Sequence, residues 1–199
     1  MHSQHSHTFY HFPTKQQETR SYRYLSFAQG RRHRDDPEEP LPPPPRFYHE
    51  PRFYKDEYIQ TLTLDDYYYH RENARNGVNE VLFSDEFNHE GYQLCLLLCP
   101  NGLREARGRF LSVYFQVLEG PNDESLVWPV KFYVKFILQN RMKNEDHYIC
   151  TLPKNKSIIQ TPAERGSTFS RGVRRFFPLD LLEPNYLVDD TISVQVAFW

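Results

Sequence analysis

The chain has 199 residues, a formal charge of −2 at neutral pH, and 39% hydrophobic residues. Near-neutral charge argues against a strongly basic nucleic-acid binder. No apolar run approaches the about 20 residues of a spanning helix, and the His-rich N-terminus has no apolar signal core, so membrane insertion and secretion are not expected and a cytoplasmic chain is.

Composition divides the chain. The first 50 residues hold 7 of the 15 prolines and 6 of the 9 histidines. With no sustained helical or strand period, residues 1–50 read as a disordered arm rich in His, Arg and Pro. His2, His5, His7 and His11 are too loosely spaced to define a metal geometry, and no cofactor or metal is expected. Within the arm, Pro40-Leu41-Pro42-Pro43-Pro44-Pro45-Arg46 favours the extended polyproline helix, which makes 40–46 a stiff linker or a docking peptide for a polyproline-binding domain.

From about residue 57 to 199 the pattern changes to short runs of period two separated by turn residues, the mark of an all-β fold. A domain of this size buries roughly 68–70% of its unfolded surface and needs neither disulfides nor metal to fold. In chain order, weaker strands are predicted at 58–64 and 79–83. Tyr92–Cys99 is a strand with two apolar faces, Leu94, Leu96 and Leu98 alternating with Cys95, Leu97 and Cys99, so it is central or has its second face covered by a partner. Pro100-Asn101-Gly102 ends it in a turn. Residues 109–118 place Leu111, Val113, Phe115 and Val117 on one face, and residues 130–138 place Val130, Phe132, Val134, Phe136 and Leu138 on one. Weaker strands follow near 148–152 and 174–177, with one helical turn at Leu179–Glu183. Residues 191–199 set Ile192, Val194, Val196 and Phe198 against Thr191, Ser193 and Gln195. Seven or eight short strands without a long amphipathic helix predict an antiparallel β-sandwich.

Catalytic patterns are missing: there is no zinc-protease helix motif, no nucleophile elbow, no phosphate loop and no dinucleotide fingerprint. Cys95, Cys99 and Cys150 read as free thiols, because on an extended strand Cys95 and Cys99 lie about 13 Å apart, beyond the about 7 Å that a bridge spans. Cys150 with His147 is a structural pair rather than a nucleophile and base. Asp189-Asp190 reads as a turn or cap before the last strand, and no enzymatic activity is expected.

Several segments, in order, carry a resemblance: Gly91-Tyr92-Gln93-Leu94-Cys95-Leu96, the Asn101-Gly102 turn, Leu111-Ser112-Val113-Tyr114-Phe115, Gly120-Pro121-Asn122-Asp123, Trp128-Pro129 and Leu187-Val188-Asp189-Asp190-Thr191. Over about residues 57–199 the chain resembles the MATH domain, closest to the TRAF-C domain of tumour-necrosis-factor-receptor-associated factors. The resemblance implies a non-enzymatic adaptor that binds short linear peptides of receptors or signalling proteins by strand addition. It also implies where the peptide is read: Leu97, Cys99, Leu103, Arg104, Ser157, Ile159, Arg171 and Gly172. Polar groups of the receptor-binding branch are replaced at several of these positions. An apolar groove flanked by Arg104, Arg171, Arg174 and Arg175 then predicts a peptide with hydrophobic anchors and an acidic flank.

Two other functions fit parts of the sequence. Substrate recruitment to a ubiquitin ligase is the alternative within the family, whose Trp-Gly-Phe signature is here Arg171-Gly172-Val173. With neither a heptad run nor paired metal-ligand spacing before residue 57, the chain alone is not expected to trimerise or to transfer ubiquitin. RNA contact through Arg20, Tyr22, Arg23, Tyr24, Arg31, Arg32 and Arg34 is disfavoured by the arm's balance of 7 Lys/Arg and 6 Asp/Glu.

Overall fold

The computed structural model describes residues 58–199 with the exception of 144, 145, 168, 169 and 184. Expectations placed on the arm, including the polyproline run at 40–46, lie outside the described residues. In chain order the elements are β1 (Tyr58–Leu64), helix α1 (Tyr67–Arg75), β2 (Leu82–Phe83), β3 (Phe87–His89), β4 (Tyr92–Cys99), β5 (Phe110–Leu118), β6 (Val130–Lys131), β7 (Val134–Leu138), β8 (Tyr148–Thr151), β9 (Ile158–Ile159), β10 (Arg171–Pro178) and β11 (Ile192–Phe198).

The strands form a sandwich of antiparallel sheets. One sheet runs β1-β11-β7-β8, and the facing sheet runs β10-β5-β4-β2 with β3 also on β4; β6 and β9 make a separate two-stranded ribbon. Leu111, Val113, Phe115 and Val117 of β5, Leu94, Leu96 and Leu98 of β4, and Ile192, Val194, Val196 and Phe198 of β11 meet in one core. Each such side chain contributes about 1.5–3 kcal/mol by leaving water, so alternation along these strands is the main reason that the two layers close.

Three expectations need correction. The strand predicted over 130–138 is broken: Val130 and Lys131 pair with Ile159 and Ile158 of β9, whereas Val134 onward pairs with β11 and β8. Phe132, between the two pieces, is buried and donates its backbone N–H to Ser157 O, so one hydrophobic face persists while the ladder changes partner. The strand predicted at 79–83 is reduced to Leu82–Phe83.

The third is α1, a nine-residue helix that the Tyr-rich sequence does not announce. Its first amide groups are capped from the far end of the chain. Asp190 accepts from Tyr67 N on its carbonyl and from Tyr68 N on its carboxylate, both at 2.9 Å. Tyr67 is fully buried and donates its hydroxyl to Pro100 O at 3.2 Å. Tertiary anchoring, rather than helix propensity, holds this short segment. Asp189 and Asp190, both with left-handed φ, form the turn that closes Val188 against Thr191 and present the cap.

His89 of β3 sits among Tyr58, Phe132 and Phe198, and burial pulls its pKa below the ordinary 6.5 against the opposing charge of Glu90. Burial likewise lowers His147, whose Nδ1 accepts from Asn140 N at 3.0 Å. A histidine held neutral in the fold stabilises it fully above the unfolded value of about 6.5; as pH falls below that, the unfolded chain takes up the proton first and stability declines until the folded pKa is passed. Urea unfolding should therefore show a lower midpoint at about pH 5.5 than at about pH 7.5, and His89→Phe should shrink the difference. Equal differences in the two proteins would show that His89 is not a source of the dependence.

Candidate functional site

The five-stranded sheet ends at β10, which pairs only with β5 among the described strands. Register aligns Leu97 of β4, Tyr114 of β5 and Gly172 of β10 in one row across the sheet. Directly paired residues share a face, and this row lies on the face turned away from the core. Cys95 with Gln116 and Cys99 with Ser112 are the neighbouring pairs on that face.

Sequence alone left open what covers this second apolar face, and the structure supplies the cover from the same chain. Cys95, Leu97 and Leu118 form a second buried cluster under Val81, Phe83 and Tyr114. The loop at 163–167 is laced to β5: Ala163 N donates to Val117 O at 3.0 Å, and Glu119 N to Ala163 O at 3.3 Å. Gln116, fully buried, donates to Glu164 O and Ser167 Oγ, and accepts from Gly166 N. Arg165 lies over the Phe83 ring, with its guanidinium donating to Ser84 O and bridging Glu86 at 2.8 Å. Every polar atom of the Gln116 amide is thereby engaged, which a buried polar side chain requires.

Leu97 is therefore 4% exposed and Cys99 fully buried; in this state they offer no side-chain surface and act as the floor beneath Tyr114. Burial pushes the Cys95 thiol up to about 12 and raises Cys99 further, and all three cysteines are free thiols. Such thiols lack the thiolate character that nucleophilic chemistry requires.

At the upper end of this face the predicted residues converge. Leu103 N donates to Ser112 Oγ at 3.2 Å, and the same hydroxyl donates to Arg174 O, so the loop after β4 and the edge strand β10 are tied through one serine. Arg174 pairs with Glu105 at 2.7 Å and hydrogen-bonds Tyr114. The Glu105 carboxyl is held below its usual range, first by its own backbone N–H, with the Arg174 charge contributing. Burial pushes the Tyr114 hydroxyl up to about 12. Arg104 is exposed with left-handed φ at 50°, and Arg171 is half-exposed with its guanidinium on Ser170 O at 3.2 Å.

Gly172 is the tightest point: a Cβ there would meet Val113 O at 2.1 Å and Tyr114 Cα at 2.5 Å. Only a residue without a side chain lets β10 come this close to β5. Beyond it the register slips between Val173 and Phe177, and this bulge sends both Phe176 and Phe177 into the core. Arg174 and Arg175 fall within this irregular stretch and are both partly exposed.

Leu97, Cys99, Leu103, Arg104, Arg171 and Gly172 thus belong to one region of the five-stranded sheet. Ser157 and Ile159 sit elsewhere: Ser157 is fully buried and takes Phe132 N, and Ile159 joins the main core from the β6–β9 ribbon. Tyr114, Ser112 and Gln116 were missed as site-shaping residues. The available signal was polar side chains spaced two apart within the otherwise apolar β5.

This sandwich, with an irregular outer strand beside a covered second face, defines the class. The MATH domain family model matches residues 60–198, and the chain belongs to the MATH family. It is 30% identical over 138 residues to TNF receptor-associated factor 2 of Homo sapiens, covering 66% of this chain and 27% of that protein. It is 32% identical over 141 residues to TNF receptor-associated factor 5 of Homo sapiens, covering 67% of this chain and 25% of that protein. The chain therefore spans about a quarter of the length of these curated relatives. The solved structure of Notothenia coriiceps TRAF5 aligns with a TM-score of 0.62 at 25% identity, covering 71% of this chain and 72% of that one.

Among the described residues no helix is long and apolar enough to cross a membrane, and no cluster of His, Cys, Asp or Glu is arranged to hold a metal ion.

Proposed function

We propose that this domain is a non-enzymatic adaptor that binds short extended peptides of receptors or signalling proteins along the outer edge of β10. The observation that carries this reading is the geometry at Gly172: an outer strand drawn tightly onto β5 while its other edge has no described strand partner. An added backbone takes up the unpaired peptide groups there, and side-chain pockets supply selectivity.

The chemistry of the rim points to the peptide. Arg174 is already neutralised by Glu105, whereas Arg171 faces no carboxylate among the described residues. Arg171 and Arg104 therefore favour an acidic flank, with Leu103 and Tyr114 offering the apolar surface beside it, while Val173 pairs with Val113 and packs toward the core. Leu97 and Cys99 contribute from below by setting the height of Tyr114. Ser157 and Ile159 enter this reading only as the support of the neighbouring ribbon.

A peptide array, followed by titration calorimetry of its best sequences, tests the proposal. Acidic-hydrophobic peptides should bind better than scrambled versions, and Arg171→Glu should weaken them by about tenfold, with most of the loss in association rate and most of the effect removed by high salt. Equal binding of scrambled peptides, or indifference to Arg171→Glu, would remove this reading.

A further inference from the structure

On the opposite side of the sandwich, β1 is the outer strand of one sheet and β2 the outer strand of the other. Between them lies a cavity of about 220 Å³, lined by residues 60–64 of β1, His70 of α1, residues 82–85 and Leu98. Five consecutive residues of a strand cannot all turn their side chains into one space, because successive side chains point to opposite faces. Thr61 and Thr63 indeed hydrogen-bond across the outer face of their sheet, to Gln195 and Ser193. What the cavity meets along β1 is therefore the strand's edge, its peptide groups, whereas in the run at 82–85 Ser84 N, Ser84 O and Asp85 O already bond to Leu96 O, Arg165 and Ser84 Oγ. The floor is apolar, with Leu64, Leu82 and Leu98 in the core.

Two polar groups distinguish this space. His70 Nδ1 is buried and is the one buried side-chain nitrogen or oxygen among the described residues without a hydrogen-bond partner. Buried polar atoms are ordinarily satisfied, so this nitrogen, on a ring that lines the cavity, is open to a donor from outside the protein. Burial lowers the His70 pKa, opposed by Asp66 and Asp190, which keeps the ring neutral and its chemistry that of a hydrogen-bonding group rather than a cation. Asp85, exposed at the mouth, is the sole charged side chain lining the cavity, and no cation among the described residues is paired with it. The cavity holds several times the about 30 Å³ that one water occupies, enough for one long side chain.

From these features we infer that the β1–β2 cleft is a second docking site, which takes an extended peptide whose backbone pairs with the free edge of β1 and whose lysine side chain enters the cavity, its ammonium donating to His70 Nδ1 and facing Asp85. An extended chain is the occupant because one wall is the outer edge of β1, which pairs with β11 alone among the described strands, and the outward peptide groups of such an edge alternate with the spacing of another strand. The charge of the cleft selects a cation. This site lies across the sandwich from β10 and does not depend on what binds there.

The test uses the full chain, 15N-labelled, and a capped synthetic peptide of alternating threonine and valine with one central lysine. Amide shifts should move at Gln60, Leu62, Leu64 and at Leu82–Asp85, and not at Gly172. Replacing the peptide's lysine by norleucine should weaken binding by about tenfold, and Asp85→Lys in the protein should do the same while leaving the fold intact, since Asp85 is exposed. His70→Phe should weaken the lysine peptide more than the norleucine one. The proposal is overturned if shifts cluster elsewhere, if lysine and norleucine peptides bind alike, or if butylammonium alone binds as well as the peptide, because the strand edge then adds nothing.

Discussion

Alanine at Gly172 should lower the stability of the domain by about 3 kcal/mol, the upper end of what overpacking usually costs, and its Tm by about 10 °C. The added methyl would lie 2.1 Å from Val113 O and 2.5 Å from Tyr114 Cα. Both are backbone atoms of a central strand, so neither can yield by changing rotamer, and β10 must move instead. Phe176 and Phe177, anchored in the core beyond the bulge, keep the far end of β10 in place. The displaced part is Arg171–Val173, the segment that carries the proposed edge, so peptide affinity should fall together with stability. Gly108→Ala is the control: its φ is also left-handed at 73°, but nothing lies within 4 Å of the new Cβ. Only backbone strain of about 1–2 kcal/mol is expected there. Thermal unfolding followed by circular dichroism separates the two, and a Gly172→Ala melting point matching that of Gly108→Ala would show that β10 is not held by close approach.

The legible parts of this fold are those where one strand face is buried and the other is wet. In β5 and β11 the alternation of Val113 and Phe115, or of Val194 and Val196, reports the core side directly, and β4 stood out because both of its faces are apolar. What covered its second face was not legible, since the loop at 163–167 reaches Gln116 through hydrogen bonds between positions about 50 residues apart. α1 was hidden for the same reason. Its cap is Asp190, 122 positions from Tyr68, whereas Asp66, the local residue at the N-cap position, has left-handed φ and makes no side-chain cap hydrogen bond. At the site, Arg171 and Gly172 could be placed on a strand, but the burial of Leu97 and Cys99 depends on Val81, Phe83 and Tyr114 closing over them. The break at Phe132 was invisible because the hydrophobic period continues through it; only the backbone partner changes, from β9 to β11 and β8.

Removal of the Phe198 ring should cost about 4 kcal/mol in a Phe198→Ala variant. The ring is fully buried, with centroids 5.2 Å from His89, 5.5 Å from Phe115, 5.6 Å from Phe132 and 6.1 Å from Phe87. Phe198 belongs to β11 in one sheet, and Phe115 and Phe87 to β5 and β3 in the other, so its ring joins the two layers rather than packing within one. Truncation leaves a cavity that rigid strands cannot close, and about 4 kcal/mol is a large share of the 5–15 kcal/mol that holds a domain of this kind together. Phe198→Leu should cost less than half as much, since most of the volume is retained. The same ring helps to keep His89 dry. Water entering the space should return the His89 pKa toward its ordinary value, so the loss of stability between about pH 7.5 and about pH 5.5 should be smaller in Phe198→Ala than in the parent chain. Denaturant unfolding of both proteins at the two pH values measures the truncation cost and the coupling together. An unchanged pH dependence beside a large loss of stability would mean that His89 owes its depressed pKa to neighbours other than Phe198.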